Sequence, residues 1–309
     1  MTTADRIPVT IVTGFLGSGK TTLINHVLSR AGLGRVAALV NDFGAINIDA
    51  ALISSIGRDV VQLSNGCICC SINDDLFGAA QRVLAMEPRI DRIVVETTGL
   101  ADPLPVGLTF LRTELRPRTL LDGVITVADA ADFALDLFRG GVALSQIVHA
   151  DLVILNKTDL VDEDRTASLR RRIAILKPQA RILEATYGQV PLAAVFGPEP
   201  GALRHRFTCD EGGPDPVDGF QAHSFHLTGA FAAPRFQDFL DTRPQQIFRA
   251  KGIIRFAGQD TPSLFQLCGA RVSFDPFAEP ADDNRLVFIG RDLDRGALET
   301  RLGACLQPS

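Results

Sequence analysis

An octapeptide near the N-terminus, Gly14-Phe15-Leu16-Gly17-Ser18-Gly19-Lys20-Thr21, leaves little freedom in how the chain around it can fold. It meets G-x-x-x-x-G-K-S/T at every fixed position, directly after the apolar run Pro8–Thr13 and at the opening of a segment of helical period, Lys20–Arg30. A loop of this composition between strand and helix curls so that several backbone N–H groups converge on phosphate oxygens. The helix N-terminus adds partial positive charge there. Gly14, Gly17, Ser18, Gly19 and Thr22 are therefore expected to frame a phosphate site, with Lys20 bridging the β- and γ-phosphates and the Thr21 hydroxyl suited to ligate Mg²⁺.

The pattern downstream fits such a loop. Short β-branched runs alternate with helix-period segments over the first 190 residues, as βαβ units do. Strands are expected at Pro8–Thr13, Arg35–Val40, Val60–Leu63, Ile93–Glu96, Gly123–Ala128, Leu152–Leu155 and Arg181–Ala185. Several are continuously apolar, which points to strands covered on both faces. Lys20–Arg30 places Leu23, Val27 and Leu28 on one helix side, and Asp164–Leu176 does the same with Leu169, Ile173 and Leu176. Gly, Pro, Asp and Glu then dominate 197–219, an exposed linker. Beyond it, Gln221–Leu227, Gly252–Ala257, Leu264–Phe274 and Leu286–Ile289 read as strands, and Pro234–Leu240 and Asp292–Leu306 as helices. The expected architecture is an α/β P-loop NTPase domain with a mostly parallel sheet over 1–196, a linker over 197–219, and a small α+β domain over 220–309.

Asn156-Lys157-Thr158-Asp159 directly follows the apolar run Leu152–Leu155. A carboxylate at Asp159 would accept from the N1–H and exocyclic amine of guanine. Adenine offers an acceptor at N1 and would leave that charge unpaired, a discrimination on the order of 10³-fold. Asn156 is expected at the base edge and the Lys157 stem along the base plane, so GTP is the expected nucleotide. Glu96 ends a buried strand before Thr97-Thr98-Gly99, where an acidic group would orient Mg²⁺ or its water, and Gly99 would let the backbone swing toward a γ-phosphate. Asp42, in Asn41-Asp42-Phe43-Gly44, is a candidate switch residue. Lys20, Thr21, Asp42 and Glu96 thus form the expected catalytic set.

Three of the six cysteines crowd into Cys67-Ile68-Cys69-Cys70, after the turn signal Ser64-Asn65-Gly66. Thiols at this spacing can converge on one ion, and soft thiolates suit Zn²⁺ or Cu(I), with Co²⁺ possible in a tetrahedral N/S site. The fourth ligand is open between Asp42, a histidine and water. His205 and Cys209 are weaker candidates. His223 and His226, three apart on an extended strand, would face opposite ways, and Cys268 and Cys305 read as core residues. Lys and Arg number 31 against 36 Asp and Glu, a net charge of −5, which lacks the basic face of a general nucleic-acid binder. No apolar stretch reaches the roughly 18–20 residues that span a bilayer. Met1 to Arg6 passes into an apolar strand without the regions of a signal peptide. The expectation is a cytoplasmic protein whose partners include neither nucleic acid nor membrane.

Taken together, these residues resemble the CobW family of P-loop metal-chaperone GTPases, relatives of the urease and hydrogenase maturation GTPases, over nearly the full length. The family's T-G-F-L-G-S-G-K-T-T opening matches Thr13 through Thr22, its N-E-F-G segment appears as Asn41 to Gly44 with Asp49 trailing, and its G-C-x-C-C motif stands at Gly66 to Cys70. The E-T-S/T-G-x-A-D-P stretch is Glu96 to Pro103, and Arg249-Ala250-Lys251-Gly252 resembles the C-terminal module. The resemblance implies GTP hydrolysis coupled to capture or release of zinc or cobalt through Cys67, Cys69 and Cys70, and a client metalloprotein contacted through the second domain. The linker holds only His205 where relatives carry a His-rich stretch, which counts against high-capacity metal storage. Val40 and Ala45 stand where relatives often carry glutamates. The competing readings are a GTP-switched regulator with incidental cysteines and an accessory protein of cobalamin synthesis.

Overall fold

The computed structural model describes residues 6–29, 34–40, 60–62, 72–112, 114–132, 141–197, 220–277 and 280–307. Its described residues fall into two compact units that part between Val190 and Pro191.

The first unit is built on strands β1 (Ile7–Thr13), β2 (Val36–Val40), β3 (Val60–Gln62), β4 (Arg92–Glu96), β5 (Thr119–Asp129), β6 (Leu152–Asn156) and β7 (Arg181–Glu184). They form one sheet in the order β3-β2-β4-β1-β5-β6-β7, and every pairing is parallel. The apolar runs explain this, because parallel strands joined by crossover helices are buried on both sides. From β1 the chain moves out to β2 and β3, returns to β4, then crosses to the far side of β1 as β5. The carboxyl end of β1 therefore lies at the reversal of strand order, where α/β sheets bind ligands.

Helix α1 (Lys20–Ser29) buries Leu23, Ile24, Val27 and Leu28, each stabilising by roughly 1.5–3 kcal/mol. α2 (Ile72–Leu84) and α3 (Pro103–Phe110) cover Ile7, Val9, Ile11, Ala37, Leu39, Ile93 and Val95 through Leu76, Val83, Val106 and Phe110. α4 (Gly141–Val148) and α5 (Glu163–Leu176) enclose Ala128, Val153 and Leu155 with Ile147, Leu169 and Ile173. Local capping starts two of these helices: Asp102 accepts from Leu104 N at 2.9 Å with Pro103 in the first turn, and Asp162 accepts from Arg165 N at 2.7 Å. Strand β5 is longer than the expected Gly123–Ala128. Val9 pairs Leu121 and Thr10 pairs Gly123, so Asp122 is an extra residue, a bulge whose Asp-Gly sequence reads as a turn.

The second unit holds α6 (Leu192–Phe196), β8 (Phe220–Thr228), α7 (Ala233–Asp241), β9 (Ile247–Ile254), β10 (Ser263–Cys268), β11 (Arg271–Pro276), β12 (Asp283–Arg291) and α8 (Arg295–Gly303). The strands form an antiparallel sheet in the order β11-β10-β9-β12-β8, giving the expected α+β class. Its core is aromatic: Phe225, Phe231, Phe236, Phe239, Phe265 and Phe288 are buried together. Two expectations change. The run Leu264–Phe274 is a hairpin rather than one strand, because Gly269 at φ 56° turns the chain between paired Cys268 and Arg271. The strand expected at Gly252–Ala257 lies earlier, at Ile247–Ile254.

Cys268 and Cys305 are core residues, as expected. The Cys305 thiol donates to the carbonyls of Arg301 at 3.2 Å and Arg235 at 3.5 Å. Burial pushes it above its ordinary range, against the opposing charges of Arg301 and Arg235, so little thiolate forms near neutrality. Iodoacetamide at pH 7.5 is expected to leave both cysteines unmodified until denaturant is added. Alkylation of Cys305 at a free-thiol rate, read by mass spectrometry, would contradict this.

Candidate nucleotide-binding site

The glycine-rich loop leaves β1 beneath the end of β5. Gly14 has φ 140°, and a Cβ there would fall 2.1 Å from the Val127 carbonyl oxygen, so only glycine passes. Ser18 is fully buried, while Leu16 and Gly17 form the exposed crest. The amide of Ser18 donates to the Phe15 carbonyl at 3.3 Å, and the buried Lys20 Nζ donates to the same oxygen at 3.0 Å. The loop thus curls over its own lysine. Gly19 precedes α1, and Thr22 is exposed on its first turn. A cleft of about 180 Å³ beside the crest is lined by Phe15, Leu16, Asp129 and Gln146 among others.

Glu96, only 4 % exposed, ends β4 beside the loop, and its Oε1 accepts from the Thr21 hydroxyl at 2.9 Å. The expected pair is therefore brought together across 75 residues of sequence. The exit of β4 is tied to that of β1: Thr97 N donates to Val12 O at 3.0 Å and the Thr97 hydroxyl to that of Thr13 at 2.8 Å. Gln146, buried on α4, donates from Nε2 to the carbonyls of Gly99 and Ala101 at 3.2 and 3.1 Å. Sequence reasoning missed Thr97 and Gln146; a lone glutamine inside the apolar segment Gly141–Val148 was the available signal. Thr21 and Glu96 present hard oxygen donors side by side, a set that fits Mg²⁺ rather than a thiophilic metal.

At the end of β6, Asn156 is 2 % exposed and both ends of its amide are engaged. Nδ2 donates to Ser18 O at 2.9 Å, and Oδ1 accepts from Gly188 N at 3.0 Å. The residue is thus a strut joining the phosphate loop to the turn after β7, and these two bonds use only one of the two Nδ2 hydrogens. Lys157 adopts a left-handed conformation, φ 62°, ψ 35°, and its Nζ pairs with Asp129 Oδ2 at 2.5 Å. Asp159 is exposed on the single turn Thr158–Leu160. That turn is moored to the β7 exit, since Thr158 N and Oγ1 both donate to Ala185 O, at 3.3 and 3.2 Å. Asp129 and the Ala185–Gly188 turn were not singled out from sequence; the dipeptide Tyr187-Gly188 after a strand was the signal for the turn.

Asp42, Cys67, Cys69, Cys70, His205 and Cys209 lie outside the described residues. His223 and His226 go separate ways along β8, as alternation requires: His223 Nε2 meets Leu293 O at 3.3 Å and His226 Nε2 meets Asp283 Oδ2 at 2.9 Å. Among the described residues no group of three His, Cys, Asp or Glu is placed to hold a metal ion.

A parallel sheet carrying this loop on its central strand, with an N-K-x-D turn two strands away, defines a P-loop GTPase domain. The chain belongs to the CobW family: residues 8–184 match the family model described as CobW/HypB/UreG, nucleotide-binding domain, and residues 220–306 match the cobalamin synthesis protein cobW C-terminal domain. It is 34 % identical to the zinc chaperone CobW of Pseudomonas aeruginosa, over 99 % of this chain and 93 % of that one. With the zinc chaperone YjiA of Escherichia coli it shares 31 % identity over 93 % and 95 % of the two chains. A crystal structure of Zn(II)-bound YjiA GTPase from E. coli aligns at 24 % identity with a TM-score of 0.47, covering 98 % of this chain and 99 % of that one.

Proposed function

We propose that the protein is a GTP-hydrolysing metal chaperone that takes zinc, or cobalt, at Cys67, Cys69 and Cys70 and passes it to a client metalloprotein through its second domain. In this reading the nucleotide domain is 1–196, less the short helix α6 that belongs to the second unit, 197–219 is the linker and 220–309 the client-facing domain. Family membership over both domains supports the class, and two relatives named as zinc chaperones support zinc as the cargo. Reduced thiolates are needed to ligate zinc, so the protein would work in the cytoplasm.

Lys20 leaves the Phe15 carbonyl for the β- and γ-phosphates, while the loop amides from Gly14 to Thr22 hold the phosphate oxygens. Thr21 donates its proton to Glu96, which would leave its oxygen lone pairs free to ligate Mg²⁺ beside the phosphates. Mg²⁺ bound beside these two residues and Asp42 would neutralise charge on the β- and γ-phosphates. Asp159 reads the N1–H and amine of guanine, with the Lys157 stem along the ring. Hydrolysis by the isolated protein is slow.

One observation carries the coupling of nucleotide to metal. In the parallel ladder Val40 of β2 lies level with both Glu96 of β4 and Gln62 of β3. The stretch with Asp42 therefore begins, and the stretch with the three cysteines begins, at the same edge of the sheet as the Thr21–Glu96 bond. A shift at the phosphates can thus reach the metal ligands through neighbouring strand ends. Titrating Zn²⁺ and Co²⁺ into metal-free protein with GTP–Mg²⁺ and with GDP–Mg²⁺ tests this. Affinities should differ between nucleotide states by roughly 5–150-fold, and the difference should vanish in Cys69→Ser/Cys70→Ser. Equal affinities in both states would leave a GTPase without a metal mechanism.

A further inference from the structure

We infer that Asp129 is a positioning residue of the guanine site, acting through Lys157. The inference rests on the base-reading role given above to the N-K-x-D turn, and it adds a residue that the motif does not contain. Asp129 is the last residue of β5 and lies level with Asn156, the last of β6. Its two carboxylate oxygens have separate tasks. Oδ1 accepts from the amides of Ala131 at 2.9 Å and Asp132 at 3.3 Å, folding the chain sharply as it leaves the strand. Oδ2 meets the Lys157 ammonium at 2.5 Å. The bond between Ala130 N and Asn156 O, 2.8 Å, fixes the two strand ends together. The carboxylate is therefore held by its own turn before it holds the lysine.

The lysine needs holding. A side-chain-bearing residue at φ 62° sits in a sparsely populated region, and a four-carbon stem with its head free in water samples many rotamers. Pinning both the backbone and the ammonium leaves the stem one course. The Asp129 side chain is 11 % exposed and that of Lys157 33 %, so this pair is shielded on one side and far less weakened by solvent than a surface ion pair. The stem stays partly open to the space over the N-K-x-D turn, where a purine ring would lie. The contribution of Asp129 is the order it imposes on Lys157 before the nucleotide arrives.

The test is a double-mutant cycle on fluorescent GDP and GTP binding by the full chain, using Asp129→Asn, Lys157→Met and the double variant. Asparagine keeps an acceptor for the two turn amides and removes the charge. Asp129→Ser, whose hydroxyl also accepts from those amides, replaces it should the asparagine variant melt early. Each single change should weaken GDP and GTP alike by about tenfold, and the double variant should lose no more than either single one. The preference for GDP over IDP, which falls to Asp159, should stay unchanged in Asp129→Asn. Full affinity in the Asp129 variants would overturn the inference, as would losses that multiply in the double variant. Wild-type protein that binds adenine nucleotides as well as guanine nucleotides would instead remove the base-reading role itself, and the inference with it.

Discussion

Glu96→Gln is expected to lower single-turnover GTP hydrolysis by about 10²–10³-fold while GDP affinity stays within about threefold of the native value. The asymmetry follows from what Glu96 touches. Its carboxylate is buried at the end of β4, and on the loop it accepts the proton of the Thr21 hydroxyl, 2.9 Å away. An ionised carboxylate can only accept, so it fixes the direction of that proton and would leave the Thr21 oxygen lone pairs free for Mg²⁺ beside the phosphates. Glutamine is nearly isosteric, but its amide can turn either end to the hydroxyl, and the negative charge is gone. The ground-state grip on GDP depends on other groups: the loop amides, Lys20, and the N-K-x-D turn moored through Thr158 to Ala185. The placing of Mg²⁺ against the charge that develops during cleavage would depend on this carboxylate and the Thr21 oxygen. Rapid-quench measurement of bound GTP, beside equilibrium binding of fluorescent GDP, separates the two quantities. Turnover within threefold of native would remove Glu96 from the catalytic set, and a large parallel loss of GDP affinity would make it structural.

How much of this was legible in the sequence divides along a physical line. Residues that act through their own chemistry at a strand end were readable. The loop from Gly14 to Thr21 has a spacing that few other structures need, and Glu96 is an acid closing the apolar run Ile93-Val94-Val95. Residues that act by crossing between elements were not. In one dimension Asn156 reads as a contact for the base edge, and nothing local shows a second task. Only the fold reveals that its two amide ends reach Ser18, 138 positions earlier, and Gly188, 32 later. Gln146 and Asp129 are alike in this respect. Each is a single polar residue inside or after an apolar segment, and nothing local says which carbonyl or ammonium will stand opposite. In the second unit, alternation identified β8 and the apolar run Leu286–Ile289 marked β12, but the hairpin at Gly269 was passed over, because apolar residues continue on both sides of the turn. The strand expected from Gly123 starts earlier, at Thr119, because it carries on through the bulge at Asp122.

That bulge leads to the largest stability effect: Asp122→Ala is expected to destabilise the nucleotide domain by about 3–5 kcal/mol. Asp122 is the residue added to β5 between the partners of Val9 and Thr10, and its carboxylate turns inward to Arg92 Nη1 at 3.0 Å. Thr10 Oγ1 approaches it at 3.4 Å. The side chains are 3 % and 9 % exposed, so removing the acid takes away a buried, charged partner of the guanidinium inside the sheet. Replacing both partners is a different matter. Arg92→Met/Asp122→Leu removes the buried charges together and should recover most of the loss, since an apolar pair of similar volume often equals or exceeds a buried ion pair. The consequence reaches the site as well. Past the bulge, Thr10 pairs Gly123 and Thr13 pairs Thr126, which sets Val127 over Gly14 and Asp129 beside Lys157. Losing the extra residue would slip β5 by one and turn each of those side chains to the other face. Urea unfolding followed by far-ultraviolet dichroism, with GDP affinity measured on the same samples, reads both effects. A cost below about 1 kcal/mol in Asp122→Ala would mean that solvent reaches Arg92 readily. A double variant as unstable as the single one, with GDP affinity lost in both, would mean that Asp122 matters for the register of β5 more than for its charge.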